Sequence, residues 1–276
     1  MQHKPFLKFA GGKFKLASKI IAQLDPTKHT YVEPFLGSGA VFLNTDYAEY
    51  ILADVNPDLI NLYNSLKEHG TAFIKDCSNL FTRENNNAEK FYELREQFNS
   101  TTDTYRRSVL FVYLNRHCFN GLCRYNLDGK FNVPFGKYTS VYFPEKEMSF
   151  FYKKAQNATF ICADFRKTLH RLNRNSAVYC DPPYLPLTAT SNFTKYAVKD
   201  FTYADHKALA SLLKRMSKRG VNCVASNHDV AATRKLYKTF KFIELPVYRS
   251  ISASADNRVQ AKEVLIVSTI AEAVKG

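Results

Sequence analysis

The chain has 276 residues, 45% of them hydrophobic and 23% charged, which excludes a fibrous or disordered polymer and suits one large α/β domain or two smaller ones. It carries 39 Lys and Arg against 25 Asp and Glu, a formal net charge of +14. That excess predicts a polyanionic partner, most simply nucleic acid.

The chain opens on Lys8-Phe9-Ala10-Gly11-Gly12-Lys13, followed by a strand-like run over 30–33. That strand ends in Glu33-Pro34-Phe35-Leu36-Gly37-Ser38-Gly39, a glycine turn that lets backbone approach a ligand closely, although G-x-G alone also fits a tight turn. Phe42 occupies the third glycine position of a dinucleotide fingerprint, and the lysine of a P-loop is missing. A second strand over 50–54 ends on Asp54, where a carboxylate can accept hydrogen bonds from ribose hydroxyls. Asn56-Pro57 reads as an N-cap with proline at the first helical position, opening a helix through Lys67.

Between about 57 and 145 the α/β alternation breaks. Helical patterns over 89–98 and 104–117 lead into 118–138, where Asp128-Gly129 between strand-like runs predicts a β-hairpin. Alternation then resumes, with strands over 158–163, 177–181, 221–226, 240–247 and 263–270. Several are apolar on both faces, as in a sheet covered by helices on each side. A helix over 205–219 has Leu209, Leu212, Leu213 and Met216 on one face and Gly220 just past its end. The reading is a seven-stranded α/β sheet split by an inserted helical and hairpin module, with boundaries 1–56, 57–144 and 145–276.

No run of about 18 apolar residues occurs, so no membrane span is expected. Met1-Gln2-His3-Lys4-Pro5 lacks an apolar signal core, which points to the cytoplasm. The six cysteines form no C-x-x-C pair, so reduced thiols and no metal are expected.

The strand over 177–181 stops on Asp181-Pro182-Pro183-Tyr184. A carboxylate accepts hydrogen bonds from an amine, prolines leave carbonyls without competing N–H donors, and an aromatic ring gives a planar base a stacking face. The set suits the exocyclic amine of a nucleobase, and Asp-Pro-Pro by itself also satisfies a stiff turn. An aromatic amine is a poor nucleophile, and a carboxylate is too weak a base to deprotonate it, so a proton would leave after an electrophile is attacked. A base in a duplex must swing out to reach such a site. On the hairpin, Arg124 can fork onto guanine O6 and N7, while Leu122 and Pro134 can pack on a thymine methyl. Arg95, Asn115, Arg116, Lys137 and Tyr138 read as phosphate contacts. Arg106-Arg107 and 214–219 fit solvated helix faces as well as DNA contacts, and His117 and His228 read as structural.

These motifs, in this order, resemble the Dam family of DNA adenine-N6 methyltransferases. The resemblance also takes in Leu114-Asn115-Arg116, Asn120 to Asn126, Phe131-Asn132-Val133-Pro134-Phe135-Gly136, Asn192-Phe193-Thr194, Ser226-Asn227-His228-Asp229 and Arg249-Ser250-Ile251-Ser252. It implies a Rossmann-like methyltransferase sheet and S-adenosyl-L-methionine as cofactor. Phe9, Lys13, Asp54 and Asp181 would hold that cofactor, with Ala10, Gly11, Glu33, Pro34, Phe35, Gly37 and Gly39 around it and Asp164-Phe165 at the adenine edge. Position 9 is usually Trp in the family; Phe keeps the apolar face and loses an indole N–H. The resemblance further implies Phe119 as the intercalating aromatic, commonly Tyr, with Asn120 beside it and Lys8 as a second base-reading cation. Asn126 and Asn132 would join the DNA-contacting hairpin. Double-stranded DNA as partner, GATC as the site and a monomer complete the expectation. Methylation of cytosine N4 or of RNA adenine, and a silent DNA-binding relative, are the alternatives.

Overall fold

Side-chain alternation along the strands sends neighbouring residues to opposite faces, and both faces of this sheet are buried. The computed structural model describes residues 2–170, 172–186, 201–245 and 262–269. The chain enters through α1 (Ala17–Ile21) and lays down β1 (Thr30–Glu33) and β2 (Glu49–Asp54). Helices α2 (Pro57–Ser78), α3 (Ala88–Ser100), α4 (Thr104–His117) and α5 (Glu145–Lys154) follow. Then come β3 (Ala158–Cys162), α6 (Phe165–Leu169), β4 (Ser176–Cys180), α7 (Tyr203–Lys218), β5 (Asn222–His228), α8 (Ala231–Leu236), β6 (Lys241–Leu245) and β7 (Glu263–Val267). The strand order is β3-β2-β1-β4-β5-β7-β6. Strands β1 to β5 run parallel, and β7 is antiparallel to both neighbours.

Tyr31, Tyr179, Val224 and Leu265 pack in one apolar cluster with Tyr63 of α2, Phe111 of α4 and Phe151 of α5. Val32, Val178, Ala225 and Ile266, one residue along on each strand, join Leu209, Leu213 and Met216 of α7 in a second cluster. The first cluster runs without a break into the inserted segment through Phe91, Phe98 and Phe131. Because β1 pairs with β2 on one side and β4 on the other, the order of strands is built outward in opposite senses from the gap between β1 and β4, although the strands themselves stay parallel. Ligands of open α/β sheets sit in the crevice at such a switch point, beyond the strands' carboxyl ends. Glu33 closes β1 and Asp181 follows β4, so both lie there.

The expected helix starts hold, with differences of extent. Asn56 Oδ1 accepts the N–H groups of Asp58 and Leu59, and Pro57 opens α2. Helix α2 passes the expected stop at 67 because Gly70 bends it at φ +51 and Phe73, Ile74 and Cys77 carry the second segment back onto the core. Helix α7 starts two residues early, with Thr202 and Asp205 forming a reciprocal capping box. The hairpin over 118–138 is a correction: it has two isolated bridges, Cys118 with Phe135 and Tyr125 with Phe131, instead of a continuous ladder. Side chains take the backbone groups. Asn126 Oδ1 accepts the N–H groups of Asp128 and Lys130, and Asn99 of α3 bonds both the N–H and the carbonyl of Phe131. Residues 246–247 and 270 of the expected last two strands fall outside the described residues.

A Cβ at Gly70 would stand 2.7 Å from the Tyr152 ring, and φ +51 is costly for any L side chain. Gly70→Ala is expected to lower unfolding free energy by about 1–3 kcal/mol, read from the denaturant midpoint. Adding Tyr152→Ala should remove the steric share of that deficit; an unchanged midpoint in the single variant would refute the account.

Candidate active site

Strand β4 is buried throughout, and its exit sets Asp181 at the mouth of the switch-point crevice. Ser226 Oγ donates to Asp181 Oδ1 at 2.7 Å, and Lys13 Nζ stands 3.0 Å from Oδ2. The Tyr179 hydroxyl lies 3.0 Å behind Ser226. Lys13 also donates to the Gly11 carbonyl and lies 4.8 Å from the centre of the Tyr184 ring. Tyr184 donates its hydroxyl to Glu263 Oε2 at 3.0 Å, and the His228 ring meets it edge-on at 4.9 Å. Burial, with the Asp181 charge added, pushes the Tyr184 hydroxyl well above the ordinary phenol range, so it stays a donor. Pro182 is buried and Pro183 exposed. Asn227 Oδ1 accepts the Leu185 N–H at 3.0 Å, so three consecutive residues at the end of β5 brace the segment that leaves β4.

The turn after β1 packs beside this group. Gly37 adopts φ +48, and a Cβ there would meet the Phe9 ring at 3.1 Å. Gly39 is also left-handed, at φ +70. Asp54 accepts the Gly37 N–H on Oδ2 and the Asn56 N–H on Oδ1, each at 3.0 Å. Burial raises the Asp54 carboxyl, and these backbone donors pull against that rise. Glu33 is buried and takes the Tyr31 hydroxyl on Oε2 at 3.0 Å. Burial, with the Asp181 and Asp54 charges behind it, holds the Glu33 carboxyl well above the usual carboxylate range. Pro34 is buried; Phe35 stacks on Phe165 at 5.6 Å and meets Phe201 edge-on. Asp164 caps α6 through the Arg166 N–H and pairs with the Arg166 guanidinium. Ala10 is exposed.

The hairpin residues form a second group. Phe119 is 50% exposed in a tight turn, where Asn120 takes φ +54 and donates its N–H to the Tyr138 hydroxyl. Gly121 has no room for a Cβ, which would fall 2.1 Å from that of Lys8. Lys8 Nζ donates to the Arg116 carbonyl and lies 4.1 Å from the Tyr138 ring centre; burial lowers its pKa. Arg124 is exposed, with Nε on Asn132 Oδ1 at 2.8 Å. Leu122 is half-buried, whereas Pro134 and Lys137 are exposed. Asn126 is spent on the hairpin turn. Arg95 donates to the Val133 carbonyl, and Arg116 to those of Phe6 and Tyr142.

Two readings need correcting. Asn115 is 1% exposed, and its carboxamide bonds both backbone groups of Lys8 and the Gly121 carbonyl. It is a strut between the N-terminal segment and the 119–121 turn, with no group at the surface for a phosphate. Arg107 is no solvated cation either, because it pairs with Asp58. His117 is buried and donates Nδ1–H to the Tyr113 carbonyl. The stretches 192–194 and 249–252 lie outside the described residues. Sequence reasoning assigned no role to Ser226, Tyr179 or Glu263. The Ser-Asn-His-Asp run at a strand end was a signal for Ser226; Glu263 had none.

Residues 9–251 match the family described as D12 class N6 adenine-specific DNA methyltransferase. The chain is 49% identical to the DNA adenine methylase of Serratia marcescens over 265 residues, covering 96% of this chain and 98% of that protein. It is 47% identical to the DNA adenine methylase of Haemophilus influenzae over 269 residues, with 97% and 94% covered. Against the Escherichia coli K12 enzyme of the same name it is 47% identical over 264 residues, with 96% and 95% covered. These matches span the turn after β1, the hairpin and the Asp181 segment together, and the chain belongs to the D12 class of N6 adenine-specific DNA methyltransferases.

Proposed function

We propose that this adenine-specific DNA methyltransferase takes its methyl group from S-adenosyl-L-methionine and delivers it to N6 of an adenine rotated out of double-stranded DNA, within GATC. The observation that carries the reading is the setting of Asp181, held by Ser226 on one oxygen and Lys13 on the other, with Pro182 and Tyr184 next in the chain. An adenine amine has two hydrogens and a lone pair drawn into the ring. Asp181 and the Pro182 carbonyl accept those hydrogens, which leaves the nitrogen free to turn its lone pair out of the ring plane. Tyr184 stacks on the base, and its bond to Glu263 keeps the ring from swinging away. Orientation and charge complementarity are the protein's contribution. A carboxylate is too weak a base to ionise the amine first, so the proton leaves N6 after transfer.

S-adenosyl-L-methionine supplies a methyl group activated by a positively charged sulfur. The residues present fit it. Glu33, Asp54 and Asp181 bring three carboxyl groups to one crevice, close enough that the other two raise the Glu33 pKa, and such a cluster favours a cationic ligand. Asp54 keeps lone pairs for ribose hydroxyls beside its two backbone donors, and the Phe35 and Phe165 rings offer an apolar wall for an adenine face. Phe9 lines the turn at Gly37.

For the duplex, Phe119 would fill the gap left by the rotated base, with Asn120 beside it. Arg124, Lys8, Leu122 and Pro134 would read base edges, and Arg95, Arg116, Lys137 and Tyr138 would position the backbone. Asn126 and Asn132 serve by holding the hairpin tip and the Arg124 guanidinium. GATC follows from the likeness of this hairpin to its family. Residues 57–144 would then be the target-recognition module within the methyltransferase domain, and a single cytoplasmic chain carries every part required.

Asp181→Ala is expected to cut methyl transfer by about 10²–10⁴-fold while duplex binding in a gel-shift assay stays close to wild type. Near-normal turnover in that variant would remove Asp181 from the mechanism. Asp54→Asn should weaken S-adenosyl-L-methionine binding by about 10-fold or more in titration calorimetry, with DNA affinity unchanged. Unaltered cofactor affinity would move the ribose away from Asp54.

A further inference from the structure

We infer that Tyr125, bound to the Asp58 carboxylate that Arg107 also holds, positions Arg124 and thereby sets how strictly the enzyme discriminates sequence. The inference rests on the reading of Arg124 as a base-contacting residue. Strand β2 ends at Asp54, and the residues just beyond it grip the recognition arm on both sides of Arg124. Asn56 caps α2 with its side-chain Oδ1 and donates Nδ2 to Cys123 Sγ at 3.4 Å. Asp58, 7% exposed in the first turn of α2, accepts the Tyr125 hydroxyl on Oδ2 at 2.7 Å. Arg107 Nη2 reaches that same oxygen at 3.0 Å, and Arg107 Nε bonds the other.

A carboxylate this buried is costly unless paired and hydrogen-bonded. The guanidinium fork satisfies it from α4, and the Tyr125 hydroxyl adds a charge-assisted bond from the hairpin. Burial pushes the Tyr125 hydroxyl well above the ordinary phenol range, so it remains a donor. Cys123 and Tyr125 are therefore both fastened to one short bracket, 54–58, whose first residue also holds the Gly37 turn. Period-two alternation in extended chain sends the residue between them outward, and Arg124 is exposed. Its guanidinium rests on Asn132, across the hairpin from it. The Arg124 backbone is thus held through Tyr125 by Asp58 and through its own carbonyl by the Asn132 N–H at 3.2 Å, and its side-chain direction comes from Asn132. A fork contact to a base edge needs both, since a displacement of the arm by a fraction of an ångström breaks one of two parallel bonds.

Tyr125→Phe keeps the ring and the Asp58–Arg107 pair and deletes only the hydroxyl. Methylation is measured on a duplex containing GATC and on duplexes with one base pair of that site replaced, alongside Arg124→Ala. Tyr125→Phe should methylate GATC about tenfold more slowly at limiting DNA, while the duplex altered at the base pair that Arg124 contacts is methylated at close to its wild-type rate. Its preference for GATC should fall about tenfold at the base pair that Arg124→Ala relaxes, the order of one hydrogen bond to a charged group. The double variant should lose no more discrimination there than Arg124→Ala alone. If Tyr125→Phe discriminates like wild type while Arg124→Ala does not, the positioning role is overturned and the base-reading role of Arg124 survives. If Arg124→Ala itself leaves discrimination intact, the reading beneath the inference fails. A uniform loss on every duplex with a lowered melting midpoint would make Tyr125 a stability residue and also overturn the inference.

Discussion

The ion pair between Lys13 and Asp181 joins the first turn of the chain to the exit of its fourth strand, at the point where the strand order of the sheet switches sense. Their side chains are 10% and 20% exposed, so neither charge is free of desolvation and each needs the other. Ser226 takes the remaining face of the carboxylate. An ionised carboxylate only accepts, so the Ser226 hydroxyl must donate to it, and the Tyr179 hydroxyl behind must donate to Ser226. The direction of every hydrogen in that row is settled by one charge. A group held in this way is already oriented when a substrate arrives, which is how an enzyme avoids reorganisation at the moment of reaction.

The rest of the molecule serves that crevice from two sides. Glycines 37 and 39 shape the turn after β1, and Asp54 fastens that turn by a backbone bond to Gly37. From the other side, the inserted helices share one apolar cluster with the sheet. The hairpin is fastened by Asn99 at Phe131 and by Asp58 at Tyr125 and has little ladder of its own. The position of the hairpin thus comes from side chains of the helices beneath it, and it is no better fixed than those anchors.

How much could be read beforehand follows from the range of each signal. Strands apolar on both faces declare themselves locally, and the Asp181 to Tyr184 motif sits within four consecutive residues. The N-cap at Asn56 is likewise local. Glu263 was invisible because only the antiparallel pairing of β7 with β5 brings it to Tyr184, 79 residues away. Arg107 looked like a surface cation because its partner Asp58 lies 49 residues back on another helix. Asn115 was misread for a related reason. A polar residue beside arginine suggests solvent, and only tertiary packing shows that its amide closes over the Lys8 backbone. The expected end of α2 at 67 was overrun because burial of Phe73 and Ile74 carries the chain on past the bend at Gly70.

The most direct test of the central claim is a crystal structure of the enzyme with a GATC duplex and the demethylated cofactor product. The account predicts the target adenine outside the helix, its N6 within hydrogen-bond distance of an Asp181 oxygen and of the Pro182 carbonyl, and its ring against Tyr184. An adenine still stacked in the duplex, or one whose amine is bound by other groups, would contradict it.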